Sequence, residues 1–246
     1  MSLSENLGRF VGALWSPVVR VGAKIRHARL LHPEGITFRG EVKALDTHAA
    51  LHPLAVNVPG PALVRLSTAL WRGHREWPDV LGLAVRLRTT ETVTEAPAEG
   101  DQDLLFATLR SIWTLGLAPL TTDTHDWRKN DYYAVSPFEV TGLGRVKLRL
   151  VSNRDETPGQ DRVERIQTAV QAGRALFTLE ARPLRGELAG QWWPLAELRL
   201  VEEVTLDPAL LRFWPFRTGR GIQPVGFIHS SRIPTYRQSQ KARAPH

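Results

Sequence analysis

PALVRLSTAL, residues 61–70, sets Val64 and Leu66 against Arg65 and Ser67. A period of two is the signature of a strand with one face buried, because successive side chains point to opposite faces of a sheet. RVKLRLVS (145–152) repeats the pattern, with Val146, Leu148 and Leu150 alternating with Lys147 and Arg149. Working outward from these two, further strand-like runs are GITFRGEVKAL (35–45), VLGLAVRLRT (80–89), DLLFATL (103–109), PFEVTG (137–142), LFTLEARPL (176–184) and AELRLVEEVTL (196–206). The turn-rich TGLG (141–144) joins two of them as a hairpin. About eight strands with few long helical segments predict an α+β chain built on a closed antiparallel β-barrel, since closure removes exposed edges.

Helical spacing is confined to a few places. DRVERIQTAVQAGRA (161–175) carries Val163, Ile166, Ala169 and Val170 as one stripe. Residues 5–24 read as a basic amphipathic helix, with Ser4 as its N-cap and Leu7, Phe10, Val11, Leu14, Val18 and Val21 at helical spacing; residues 1–27 are expected to form a flanking arm. That arm has two readings: packing on the barrel, or lying on a membrane surface with Arg9, Arg20 and Lys24 toward lipid head groups. A final helix is expected over 234–243, and EAPAEGDQ (95–102) is expected as an exposed loop. With no internal repeat and no linker, residues 1–246 read as a single domain.

Composition removes several classes of chemistry. The chain has no cysteine, which excludes disulfides, iron–sulfur clusters, thiolate zinc sites and cysteine nucleophiles. No apolar run approaches the roughly 18 residues of a membrane-spanning helix, and the first twenty residues lack the pattern of a secretory signal, so a cytoplasmic location is expected. The formal charge of +7 comes from arginines and lysines scattered among apolar residues rather than massed in one run. Tyr132 and Tyr133 beside Arg128 and Lys129 have the residue types of a base-stacking surface, but nothing else of a nucleic-acid signature accompanies them, and a solvated loop is the plainer reading. TGLGRV (141–146) is too short for a phosphate-cradling loop, and His48, His52, His74 and His125 share no metal-ligand spacing.

The segment RIPTYRQSQKAR (232–243) places Arg232, Tyr236, Ser239 and Arg243 at i, i+4, i+7 and i+11, along one face of a helix. Phenol ionises near pH 10, so a tyrosinate at neutral pH needs adjacent positive charge. A guanidinium one turn away supplies it. Tyrosinate is an axial ligand of haem iron in catalases. The spacing Arg, three residues, Tyr, two residues, Ser or Thr, three residues, Arg resembles the proximal haem motif of that family. The resemblance implies haem b as cofactor, Tyr236 as the ligand to its iron, Arg232 lowering the tyrosine pKa and Arg243 reaching a propionate.

Two further segments resemble the same family in the expected order. RLLHPEGITFRGEV (29–42) supplies Arg29, His32 and Gly35 in the pattern that carries the distal histidine. PALVRLSTAL and VLGLAVRL supply Arg-x-Ser-Thr, as Arg65, Ser67 and Thr68, and Gly-x-Ala-Val on the next strand. The implied roles are His32 as the proton-transferring base, Ser67 as the residue fixing its tautomer, and Arg29 and Arg65 as propionate partners. Catalases also carry a distal asparagine before the strand matching DLLFATL; here the nearest polar residues are Asp101 and Gln102. Without that asparagine, and without the long wrapping segment and added helices of full-length catalases, the chain resembles the small catalase-related haem proteins. Phe106, Leu109 and Trp113 are candidates for lining a wider distal pocket or for ordinary core packing.

The expected function is therefore haem-dependent peroxidase chemistry on hydrogen peroxide or organic hydroperoxides with a small organic reductant. Rearrangement of a fatty-acid hydroperoxide, as in allene oxide synthase relatives, and a haem-binding barrel without turnover stand as alternatives. No nucleic-acid partner is expected, and a monomer or homodimer is.

Overall fold

The structure, a computed structural model, describes residues 35–71, 75–111, 117–134 and 136–225. Arg29, His32, Arg232, Tyr236 and Arg243 lie outside the described residues, as do the N-terminal arm, the C-terminal helix, His74 and Trp113. Ten strands form one antiparallel sheet: β1 (Gly35–Ala44), β2 (Gly60–Thr68), β3 (Leu81–Leu87), β4 (Gln102–Ala107), β5 (Tyr132–Ala134), β6 (Phe138–Val140), β7 (Gly144–Ser152), β8 (Leu176–Pro183), β9 (Trp193–Glu203) and β10 (Ile222–Pro224). Their order is β10-β6-β7-β5-β4-β3-β2-β1-β9-β8, and pairing of β7 with β8 closes the sheet into the eight-stranded barrel that the alternating runs predict.

All eight predicted strands are present, and the departure lies in how the circle is completed. β5 and β6 run end to end along the same edge of β7. Tyr132 and Tyr133 pair with Leu150 and Arg149, and Phe138 to Val140 pair with Val146 to Gly144. The register differs between the two pairings, and Pro137, just before β6, has no N–H for the ladder. β5 bridges to β4, while β6 takes β10 on its outer side. The stave was therefore legible only in its second half. The solvated-loop reading is overturned for Arg128 and Tyr132. The Tyr132 ring is fully buried. The side chain of Arg128 is buried too, bound to Asp126 (3.2 Å), to the Asp155 carbonyl (2.7 Å) and to Thr157.

The even-numbered residues of β1, β2 and β4 point inward. Ile36, Phe38, Val64, Leu66, Leu104 and Phe106 join Leu148, Leu150, Phe177, Leu179 and Leu198 in one core. β3 carries its odd residues inward, Leu81, Leu83, Val85 and Leu87. Phe106 is thus a core residue, and of its two readings packing is the one the barrel selects.

Three short helices pack outside: α1 (His52–Ala55), α2 (Ala118–Thr121) and α3 (Arg162–Gln171). α3 is the helix expected over 161–175. Asp161 caps it by accepting from the backbone N–H of Val163 (2.8 Å) and Glu164 (2.9 Å), and Ile166, Ala169 and Val170 form its buried stripe. None of the described helices is long and apolar enough to cross a membrane. The hairpin at TGLG forms as expected, with Gly142 and Gly144 both at φ +80°, a conformation that a Cβ disfavours.

Burial holds the Tyr132 phenol well above its usual pKa, and its hydroxyl donates to the Trp127 carbonyl at 2.7 Å. Tyr132→Phe is expected to cost about 1–2 kcal/mol, because that carbonyl then loses a buried donor. A lower urea midpoint at an unchanged slope is the result to look for.

Candidate functional site

The odd-numbered residues of β1, β2 and β4 and the even-numbered residues of β3 form the outer face of one side of the barrel, and cross-strand pairing arranges them in rows. Gly35 pairs with Ser67, Ser67 with Gly82, and Gly82 with Ala107. The next row is Thr37, Arg65, Ala84 and Leu105, and the one beyond it is Arg39, Leu63, Arg86 and Asp103. With strands about 4.8 Å apart, the first row spans about 14 Å and is almost bare of side chains. The second row borders this strip with the side chains of Thr37, Arg65 and Leu105.

Gly35 is fixed by what crosses it. A Cβ at that position would stand 2.5 Å from the Leu66 carbonyl oxygen and 2.7 Å from Arg65 Nε. The Arg65 side chain therefore runs over the start of β1, in space that any larger residue at 35 would occupy. Gly82 has the same logic at sequence level, since a glycine inside a strand marks the close approach of something else.

Arg65 is the electrostatic feature of this strip. It is largely shielded from water, and burial lowers its pKa. Its Nε is buried without a hydrogen-bond partner, and no carboxylate pairs with it among the described residues. A guanidinium in that position is short of an anion. Ser67, also buried, lies one row away with its hydroxyl directed at the Gly82 carbonyl, at the long distance of 3.5 Å.

The far end of the same face is closed by residues 207–217. Asp103 accepts from Arg86 Nε (2.8 Å), from the Trp214 backbone N–H (2.7 Å) and from Arg217. Arg86 in turn donates to the carbonyls of Glu95 (3.0 Å) and Arg212, with its guanidinium 5.0 Å from the Phe213 ring centre. Arg220 adds a second clamp, donating to the Pro59 carbonyl at 2.7 Å and to the Arg88 carbonyl. These ties all lie at the end of the face away from Gly35.

Of the residues picked out by sequence, the fold brings together Gly35, Arg65 and Ser67. Asp101 and Gln102 do not join them. Asp101 accepts from the backbone N–H of Ala98 (2.8 Å) and Thr89 (3.1 Å), and the Gln102 amide donates to the carbonyls of Arg217 (2.8 Å) and Ile222 (3.1 Å). Both are buried, so the exposed loop predicted over 95–102 ends at Gly100. Gln102 is also five residues from Ala107 along β4, about 17 Å. His48, His52 and His125 are exposed, and no cluster suited to a metal ion occurs among the described residues. Sequence reading missed the bare row itself and the Arg86–Asp103 pair; a charge inside each of two otherwise apolar strands was the available signal for the pair.

No family sequence model matches the chain, and no curated protein matches it in sequence. Among solved structures it is similar to a fungal catalase, with a TM-score of 0.56 at 12% identity, covering 87% of this chain and 59% of that one. It is likewise similar to catalase A from Saccharomyces cerevisiae, with a TM-score of 0.59 at 12% identity, covering 87% and 61%. The fold is that of the catalase barrel. The chain spans about three-fifths of the length of the two catalases.

Proposed function

We propose that this chain is a haem-dependent enzyme of the small catalase-related type that reduces hydrogen peroxide or organic hydroperoxides at the expense of a small organic donor. The observation that carries the reading is Arg65 Nε, buried without a hydrogen-bond partner, beside Ser67 and the side-chain-poor row Gly35–Ser67–Gly82–Ala107 on a catalase-type barrel. A planar macrocycle bearing carboxylates fits both parts of that arrangement: the bare row suits the ring, and the guanidinium suits a carboxylate by charge-assisted hydrogen bonding.

In this reading Tyr236 ligates the iron of haem b, with the Arg232 guanidinium favouring the ionised phenol. Arg29, Arg65 and Arg243 hold the two propionates. Bound haem supplies the redox chemistry that cleaves the peroxide O–O bond. The chain supplies the proton handling: the neutral imidazole of His32 takes the proton from the attacking hydroperoxide and returns it to the departing oxygen. Its other nitrogen donates to the Ser67 hydroxyl, which fixes the tautomer and the ring orientation. His32 precedes Gly35 by three residues, and Gly35 is paired with Ser67, so chain connectivity favours their meeting.

Asp101 and Gln102 are committed to backbone groups, so neither serves as a counterpart of the peroxide-orienting asparagine. Organic hydroperoxides, whose alkyl groups bring their own binding surface, are therefore the favoured oxidants. The test is oxidation of a phenolic donor by haem-loaded protein, with cumene hydroperoxide and hydrogen peroxide compared. Faster donor oxidation with the organic peroxide is expected. Rapid disproportionation of hydrogen peroxide with no organic activity contradicts the preference, and haem retention without any turnover contradicts the enzymatic reading.

A further inference from the structure

Eight large apolar side chains stand exposed among the described residues, and five of them, Leu70, Trp71, Trp77, Leu117 and Leu120, lie at one end of the barrel. It is the end where β2 and β4 finish and β1 and β3 begin. The loops carrying them touch: Thr124 Oγ1 donates to the Glu76 carbonyl (2.8 Å), His125 pairs with the Glu76 carboxylate, and Arg165 bridges Glu76 and the His125 carbonyl.

The first loop is held in its exposed form rather than left loose. The buried Asp79 carboxylate accepts from the backbone N–H of Leu70 (3.0 Å) and Trp71 (3.4 Å). The Trp71 indole donates to the Pro78 carbonyl at 2.9 Å, the Trp71 and Trp77 rings meet edge to face at 5.2 Å, and Arg75 lies 4.7 Å over the Trp77 ring. The carboxylates of these two loops are all engaged. Glu76 is bound by the Arg162 backbone N–H (2.6 Å), Arg165 and His125; Asp79 caps the loop; Asp123 and Asp126 accept from backbone and side-chain donors within the second loop. Arg75 and Arg110, by contrast, are exposed. The end of the barrel therefore presents indoles and leucines with two exposed arginines that pair with no carboxylate among the described residues, the composition of an interfacial membrane contact.

We infer that this barrel end docks on an anionic bilayer, with Leu70, Trp71, Trp77, Leu117 and Leu120 entering the boundary between head groups and acyl chains and Arg75 and Arg110 meeting lipid phosphates. The docking is independent of haem. The test is co-sedimentation of the full chain with vesicles of phosphatidylcholine containing about one third phosphatidylserine, against pure phosphatidylcholine. Binding to the anionic vesicles that weakens with added salt is expected. Trp71→Ser/Trp77→Ser and, separately, Leu117→Ser/Leu120→Ser each weaken the partitioning by about tenfold, whereas Val56→Ser/Leu210→Ser, exposed elsewhere, leaves it unchanged. The leucine pair guards against misfolding, since both side chains are more than 60% exposed. Three results overturn the inference: no vesicle binding by the parent chain, equal binding by parent and patch variants, or concentration-dependent self-association that the patch substitutions abolish, which makes a second copy the occupant.

Discussion

Asp103→Ala is expected to lower folding stability by about 3–5 kcal/mol, the cost of removing one partner of a buried ion pair. Asp103 and Arg86 both have fully buried side chains, and the carboxylate also receives the Trp214 backbone N–H and Arg217. Without it the Arg86 guanidinium stays in the interior with carbonyl partners alone, and the 207–217 segment loses its principal anchor on β4. Most of the loss belongs to the stranded charge rather than to the worth of the pair. An Arg86→Met/Asp103→Leu double variant should therefore recover a large part of it. Urea denaturation followed by tryptophan fluorescence measures both. A single variant as stable as the parent would mean that the segment is held by other contacts.

His32→Ala is expected to lower peroxide turnover of the haem-loaded protein by about 10²–10⁴, the usual contribution of a positioned general base. In the proposed mechanism Ser67→Ala acts one step removed, through the His32 imidazole. Its expected loss is about 10–100-fold, with a displaced pH profile and unaltered haem uptake. The contrast matters because a purely structural role for Ser67 would leave the pH profile in place. Parent-like turnover by His32→Ala would remove the proton-transfer role assigned to that residue.

The strands were legible where alternation was uninterrupted. β2 and β7 read directly from their period of two, and the hairpin between β6 and β7 from its glycines. β5 was hidden because it is only three residues long and follows Trp127–Lys129, whose polar and charged neighbours look like surface. Arg128 is in fact buried, bound to Asp126 and to two groups distant in the chain, Thr157 and the Asp155 carbonyl. The candidate site was legible in part. Arg65, Ser67 and Gly35 carried a recognisable spacing, but the bare row Gly35–Ser67–Gly82–Ala107 exists only through cross-strand register. Register depends on pairings that no single segment encodes. Asp101 and Gln102 were credible site residues by position and became structural ones once the 207–225 segment was seen to return over β4.

Ligation of haem by Tyr236 is decided by the absorption spectrum of the ferric, haem-loaded chain beside that of Tyr236→Phe. A high-spin, tyrosinate-type spectrum is expected in the parent, altered or lost in the variant. Identical spectra, or no haem uptake by the parent, would contradict it.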